Sequence, residues 1–230
     1  MSLARRFGLA CAMLMAGTTC MAAGGGPMPG GMSSPSFEPR EASPAEQARE
    51  AYNNGIKAIK KAKDYDADAD KAASPDKKAK AQEKAAKAYN RALEQFTAAV
   101  SNKPDMVEAW NYIGFADRHL GAYAESLEAY DHALSLNPKY VEAVEYRGEA
   151  YLGLNRIDDA KTAYMDLFRD ARPLSDQLLA AMQKWVADRR QDAKGATAAQ
   201  IDDFEKWVAE RGTIARQTAS LGRGAAVKSW

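Results

Sequence analysis

His119 and His132 are the only histidines in the chain. A histidine serves a nucleophile when a serine or thiol lies within reach and a third group orients the ring. These two stand on successive predicted helices, and neither has a serine or carboxylate at a spacing of that kind. His119, near a helix C-terminus, reads as a surface residue compatible with the dipole there. Asp64, Asp66, Asp68 and Asp70 alternate in DYDADAD like the ligands of a calcium loop. The turn glycine and the closing glutamate of such a loop are missing, so the segment reads as a solvated charged loop. Met21, Met28 and Met32 are soft ligands suited to copper, yet after removal of the leader no histidine or cysteine remains beside them and their spacing imposes no geometry. Asp188, Asp202 and Asp203 read as charges on helix surfaces. No glycine-rich phosphate loop, zinc ligand set or dinucleotide fingerprint occurs. These side chains point to a protein that is not an enzyme and takes no cofactor and no metal.

The start of the chain reads as a targeting segment. Arg5 and Arg6 precede an apolar stretch from Phe7 to Ala16, and Cys20-Met21-Ala22-Ala23 supplies small residues for cleavage, as in a secretory signal over residues 1–23. The apolar stretch is too short to span a bilayer, so no transmembrane anchor is expected after cleavage. Both cysteines, Cys11 and Cys20, fall in this leader, and the mature chain is expected to have no thiol. Cys20 could be the acylated first residue of a lipoprotein, but Gly17 and Thr19 depart from the pattern of such signals. The chain holds 32 Lys and Arg, and losing Arg5 and Arg6 leaves 30 against 31 Asp and Glu, which gives no electrostatic case for nucleic acid. Residues 24–42 are rich in glycine, proline and methionine and read as a disordered tether.

Helical signals fill the rest. Ser43-Pro44-Ala45-Glu46 forms a capping box with proline in the first turn, ahead of the apolar positions Tyr52, Ile56 and Ile59. Ser74-Pro75 restarts a helix, and the Lys/Ala/Glu-rich run to Val100 has high helix propensity. Phe96, Tyr130 and Tyr164 then recur at intervals of 34, as do Gly114 with Gly148 and Pro104 with Pro138. A period of that length belongs to helix-turn-helix solenoids. Gly121 suits a left-handed cap past the first helix of the middle unit.

The middle unit, residues 107–140, resembles the tetratricopeptide repeat (TPR) family through Trp110, Ile113, Gly114, Ser126, Tyr130, Ala133 and Pro138, with Asp117 at the place where the family prefers tyrosine. A weaker copy covers residues 141–173 through Gly148, Tyr151, Ala160 and Tyr164, with Val144 in place of the tryptophan and Arg147 in place of the leucine. A first copy is split: Gly55 precedes Gly114 by much more than one repeat, which marks an insertion near residues 64–84. The resemblance implies an all-α fold, a short right-handed TPR solenoid of about three repeats over residues 43–173. Beyond it, apolar positions at helical spacing predict a capping hairpin over residues 174–212, its second helix opened by a capping box at Thr197 to Gln200 and closed at Gly212. A flexible tail over 213–230 is expected after it.

In the TPR family the first helix of each repeat lines the inner surface. The resemblance therefore implies a partner groove built from Tyr52, Ile56, Glu108, Asn111, Phe115, Arg118, Glu142, Glu145 and Glu149, with Phe115 as its central anchor. A protein or peptide carrying Lys or Arg beside a bulky apolar residue would complement it. The chaperone-binding subset of the family grips a carboxylate with lysines, asparagines and an arginine. Tyr52, Ile56, Tyr112, Glu142 and Tyr146 stand at the corresponding places here, which disfavours that use. The function expected is a non-enzymatic interaction adaptor or scaffold, exported to the periplasm of a bacterial cell envelope. The alternative is an outer-membrane-tethered lipoprotein that helps assemble an envelope or pilus machine.

Overall fold

The computed structural model describes residues 41–225, with side chains described as far as Thr218. The leader, Cys20, the methionine cluster, nearly all of the tether and Trp230 lie outside the described residues. Among the described residues every regular element is a helix: α1 (Pro44–Asp70), α2 (Pro75–Asn102), α3 (Val107–His119), α4 (Tyr123–Leu136), α5 (Val141–Gly153), α6 (Ile157–Asp170), α7 (Arg172–Gln191) and α8 (Ala198–Ala225). No helix among these residues is long and apolar enough to cross a membrane. The pairs α1/α2, α3/α4 and α5/α6 form three stacked hairpins, and α7 and α8 follow as a fourth. Phe96, Tyr130 and Tyr164 are each fully buried, one per repeat, at the centre of their hairpins.

Local chemistry explains most boundaries. Ser43 accepts from the Glu46 amide while the Glu46 carboxylate accepts from the Ser43 amide at 2.8 Å, completing the expected capping box. Thr197 and Gln200 do the same at the start of α8. After α3 the chain turns at Gly121 with φ +77°, and one repeat later the corresponding turn places Asn155 at φ +56°. Asparagine is the side-chain-bearing residue best suited to that region, and here its amide also serves the tertiary structure. Asn155 Nδ2 donates to the Lys194 carbonyl at 2.9 Å and its Oδ1 accepts from Arg189 Nε at 3.2 Å, which ties the α5–α6 turn to the α7–α8 hairpin.

Three expectations change. The DYDADAD segment is not a loop but the last two turns of α1, and the insertion lengthens both α1 and α2 into one long helical arm whose turn lies between Asp70 and Pro75. Ala58, Ala62, Tyr65 and Ala69 recur at three- and four-residue steps and face Ala85, Ala88, Tyr89 and Ala92, so the charges ride on the outside of a small-residue seam. Likewise α8 does not stop at Gly212 but continues to Ala225 in place of a flexible tail. Gly212 is buried on the α8 face toward Gln183 of α7, and Arg172 holds the turns beyond it by donating to the Ala215 carbonyl at 3.0 Å and Thr218 Oγ1 at 2.6 Å. Pro173 falls in the first turn of α7 rather than closing the third repeat.

Candidate functional site: the inner face of the repeats

The first helices of the hairpins, α1, α3 and α5, contribute a run of rings, joined by Phe96 of α2. Tyr52 of α1 meets Tyr112 of α3 with centroids 6.0 Å apart, Tyr112 stacks on Phe96 at 5.1 Å, and Phe115 meets Tyr146 of α5 edge-on at 5.2 Å. The 3.6-residue helical period puts positions four apart on one side, so Glu108, Asn111 or Tyr112, and Phe115 follow each other along α3, and Glu142, Tyr146 and Glu149 along α5. The structure brings these expected groove residues together on one face but separates them by burial. Glu108 and Glu142 are exposed, and Tyr52, Ile56, Arg118 and Glu149 are half-buried. Asn111, Phe115 and Glu145 are 2%, 3% and 1% exposed. They form the floor of the face and not the exposed surface that the sequence reading assigned them.

The cover over Phe115 comes from the arm. Lys63 lies over the Phe115 ring at 4.8 Å, Tyr89 approaches it at 6.2 Å, and His119 sits between, 4.4 Å from Phe115 and 4.6 Å from Tyr89. Asp66 anchors this layer by accepting from the Tyr89 hydroxyl at 2.6 Å. His119 packs against these rings while part of it stays at the surface, where the sequence reading placed it. Burial, with Arg118 and Lys63 adding repulsion, holds its pKa well below the usual imidazole range. Lengthening α1 and α2 thus converts the would-be central anchor of the groove into core.

Beside Phe115 lies a buried polar cluster. Arg118 of α3 pairs with Glu149 of α5, and Glu145 stands one helical turn before Glu149 on the same side of α5. Burial first, and then the Glu149 charge and a shared hydrogen bond, push Glu145 up to about 8 against the opposing pull of Arg118. These causes favour the protonated form of Glu145 beside the Glu149 carboxylate, which pairs with Arg118. An acid held protonated by the fold binds more protons folded than unfolded, so stability falls as pH rises from its ordinary 4.5 to about 8. Glu145→Gln keeps the donor and removes the titration. Urea unfolding should show the variant roughly 1–3 kcal/mol more stable than the parent at pH 8.5 and close to it at pH 5. Parallel pH profiles for the two proteins would show that Glu145 ionises freely in the fold.

What stays open on the inner face is divided in two. At the N-terminal ends of α3 and α5, the half-buried rings of Tyr52, Tyr112 and Tyr140 gather with Ile56, and Glu108 and Glu142 stand on the rim. Burial, and then neighbouring Tyr112 and Glu108, raise the Tyr52 phenol to about 12. Burial and then Glu142 and Glu108 act likewise on Tyr140. At the opposite ends of the same helices, a recess of about 550 Å³ lies among Arg118, Glu149, Trp185, Arg189 and Lys194, with mixed charge. Sequence reasoning missed Tyr140, which stands before α5 in the loop, and the arm residues Lys63, Asp66 and Tyr89. Only the helical spacing of Ala58, Ala62, Tyr65 and Ala69 could have signalled the arm's course.

The tetratricopeptide repeat family matches residues 107–140, the hairpin α3/α4 that carries Trp110, Gly114 and Tyr130. No curated protein sequence matches the chain. Similar solved structures include the Arabidopsis OM64 TPR domain, at 15% identity and a TM-score of 0.41, covering 74% of this chain and 99% of that one. Another is the complex of the TPR2B domain of yeast Sti1 with pHsp70, at 13% identity and a TM-score of 0.38, covering 72% of this chain and 98% of that one.

Proposed function

We propose that this protein is an adaptor that performs no covalent chemistry and holds a peptide or loop of a partner protein against the inner face of its repeats. The observation that carries the reading is the half-open tyrosine strip of Tyr52, Tyr112 and Tyr140 with Glu108 and Glu142 on its rim. Tyrosine faces attract cations as well as apolar groups, and two carboxylates at the edge raise the local concentration of a cationic segment. The occupant is a segment with Lys or Arg next to a bulky apolar residue. The apolar group lies on Ile56 and the rings, and the cation reaches the rim.

A photo-crosslinking residue at Tyr140 in cells tests this directly. The partner captured there should be lost, by about tenfold, when Glu108 and Glu142 are both changed to lysine. The helical content should stay unchanged, because both side chains are exposed. Equal capture by the charge-reversed protein would sink the assignment.

The leader with Arg5, Arg6 and the run Phe7 to Ala16 supports export and action in the bacterial envelope. The cysteine at its end supports a second reading, in which an acylated Cys20 tethers the adaptor to a membrane as an assembly factor for an envelope or pilus machine. The mass of the mature N-terminus separates the two: a free start near Gly24, or a lipid-modified Cys20.

A further inference from the structure

One face of α2 carries a row of cations at the helical period. Lys77, Lys80, Lys84, Lys87 and Arg91 follow at steps of three and four residues, and each of them is exposed. Steps of that size make each cation the neighbour of the next on the helix surface, and like charges so placed weaken a helix. Lysines that serve the helix alone have carboxylates at those steps. Here Glu83 pairs with Lys87 at 2.6 Å, while among the described residues no carboxylate pairs with Lys77, Lys80, Lys84 or Arg91. α1 adds to the row instead of neutralising it. Lys61 and Lys84 stand over the same half-buried Tyr65 ring, at 6.0 and 5.6 Å, and Lys57 precedes Lys61 by one turn. Asp64 and Asp68 follow on α1 toward the tip of the arm, so positive charge is densest from Lys84 to Arg91 and across to Lys61 and Lys57. The chain as a whole is close to neutral, with 32 Lys and Arg against 31 Asp and Glu, which makes this face a local excess.

We propose that this face of the arm docks on the anionic headgroup plane of a lipid bilayer. The row from Lys77 to Arg91 runs about 21 Å along one straight helix. A plane of phosphate charge meets such a row along its whole length and needs no recess, whereas a folded partner must match shape as well as charge. The lysine stems lie along the helix while their ammonium groups reach outward, as such side chains do at membrane interfaces. No helix among the described residues crosses a membrane, so the contact lies at the surface and is electrostatic. The choice of a bilayer among extended anionic surfaces rests on the envelope location proposed above. Tyr52 and Ile56 lie on a different side of α1 from Lys57 and Lys61, so the inner face stays open while the arm is docked.

The test is co-sedimentation of the full chain with vesicles of phosphatidylcholine, with and without phosphatidylglycerol. The anionic vesicles should bind it at least about tenfold better than the zwitterionic ones, and added salt should weaken that binding. Lys80→Glu, Lys84→Glu and Arg91→Glu together should lower binding to the anionic vesicles at least about tenfold, since each cation at such a surface contributes roughly fivefold. Helical content should stay unchanged, because the three side chains are exposed. Lys139→Glu, Lys184→Glu and Lys206→Glu together change the net charge by the same amount and should leave vesicle binding within about twofold of the parent. The leader is common to all of these proteins and cancels in the comparison. Equal binding to both kinds of vesicle, equal losses in the two triple variants, or a preference for polyglutamate or duplex DNA over the anionic vesicles overturns the proposal. None of these outcomes bears on the inner face, whose own test reads capture of a partner at Tyr140.

Discussion

Phe115→Ala should lower the free energy of unfolding by about 3–5 kcal/mol, the usual range for emptying a buried aromatic site. Equilibrium urea denaturation of the purified chain will show it as an earlier midpoint. The ring is 3% exposed and is touched from three directions: Tyr89 and Lys63 of the arm, Tyr112 and His119 of its own helix, and Tyr146 of the next repeat. Alanine removes the common neighbour of all of them, and helices pinned on several sides cannot close in on the void. The loss should be uneven. Backbone amides around Lys63 to Asp66 and Tyr89 should exchange faster, since the arm touches α3 through this layer, while the α7–α8 hairpin should keep its protection. A change below about 1 kcal/mol would mean that the ring is exposed in solution. It would then be available to a partner after all. Any loss of partner capture by this variant must therefore be read beside its stability.

Gly114→Ala should cost about 3 kcal/mol, measured the same way, although alanine is the better helix former by about 1 kcal/mol. A methyl group at this position would stand 2.6, 2.7 and 2.9 Å from three atoms of the Tyr130 ring. Tyr130 has no exposed surface and fills the centre of the second hairpin, so its ring has nowhere to go. Gly148 occupies the equivalent place in the third repeat, but the methyl group would meet the Leu178 side chain end, at 2.6 and 3.0 Å. A leucine can turn about its side-chain bonds where a boxed ring cannot, and Gly148→Ala should cost less than half as much. Equal costs at the two sites would show that backbone shifts, and not ring rigidity, set the penalty.

The repeats were legible because their signals are local or periodic. Gly114 and Gly148, the ring series from Phe96 to Tyr164 and the capping boxes at Ser43 and Thr197 each announce one helix end or one close approach, and the structure places them there. The candidate site was half legible. Helical spacing sets Tyr52 with Ile56 on α1 and Glu108 with Phe115 on α3, while the grouping of α1, α3 and α5 into one inner face came from the resemblance to the repeat family. Spacing within one helix carries no information about what a distant helix lays on top, so Phe115, Asn111 and Glu145 were expected open and are covered.

Taken by itself, the order of residues determined the all-helical hairpins, their regular repeat length and most of their ends, since backbone hydrogen bonding and side-chain caps act over a few positions. Tertiary structure alone decided that a charged insertion becomes two long helices closed over Phe115, and that burial beside Glu149 pushes Glu145 toward its protonated form. Each of these depends on the joint volume and charge of side chains from three or more helices, and such sums exist only once the helices are packed.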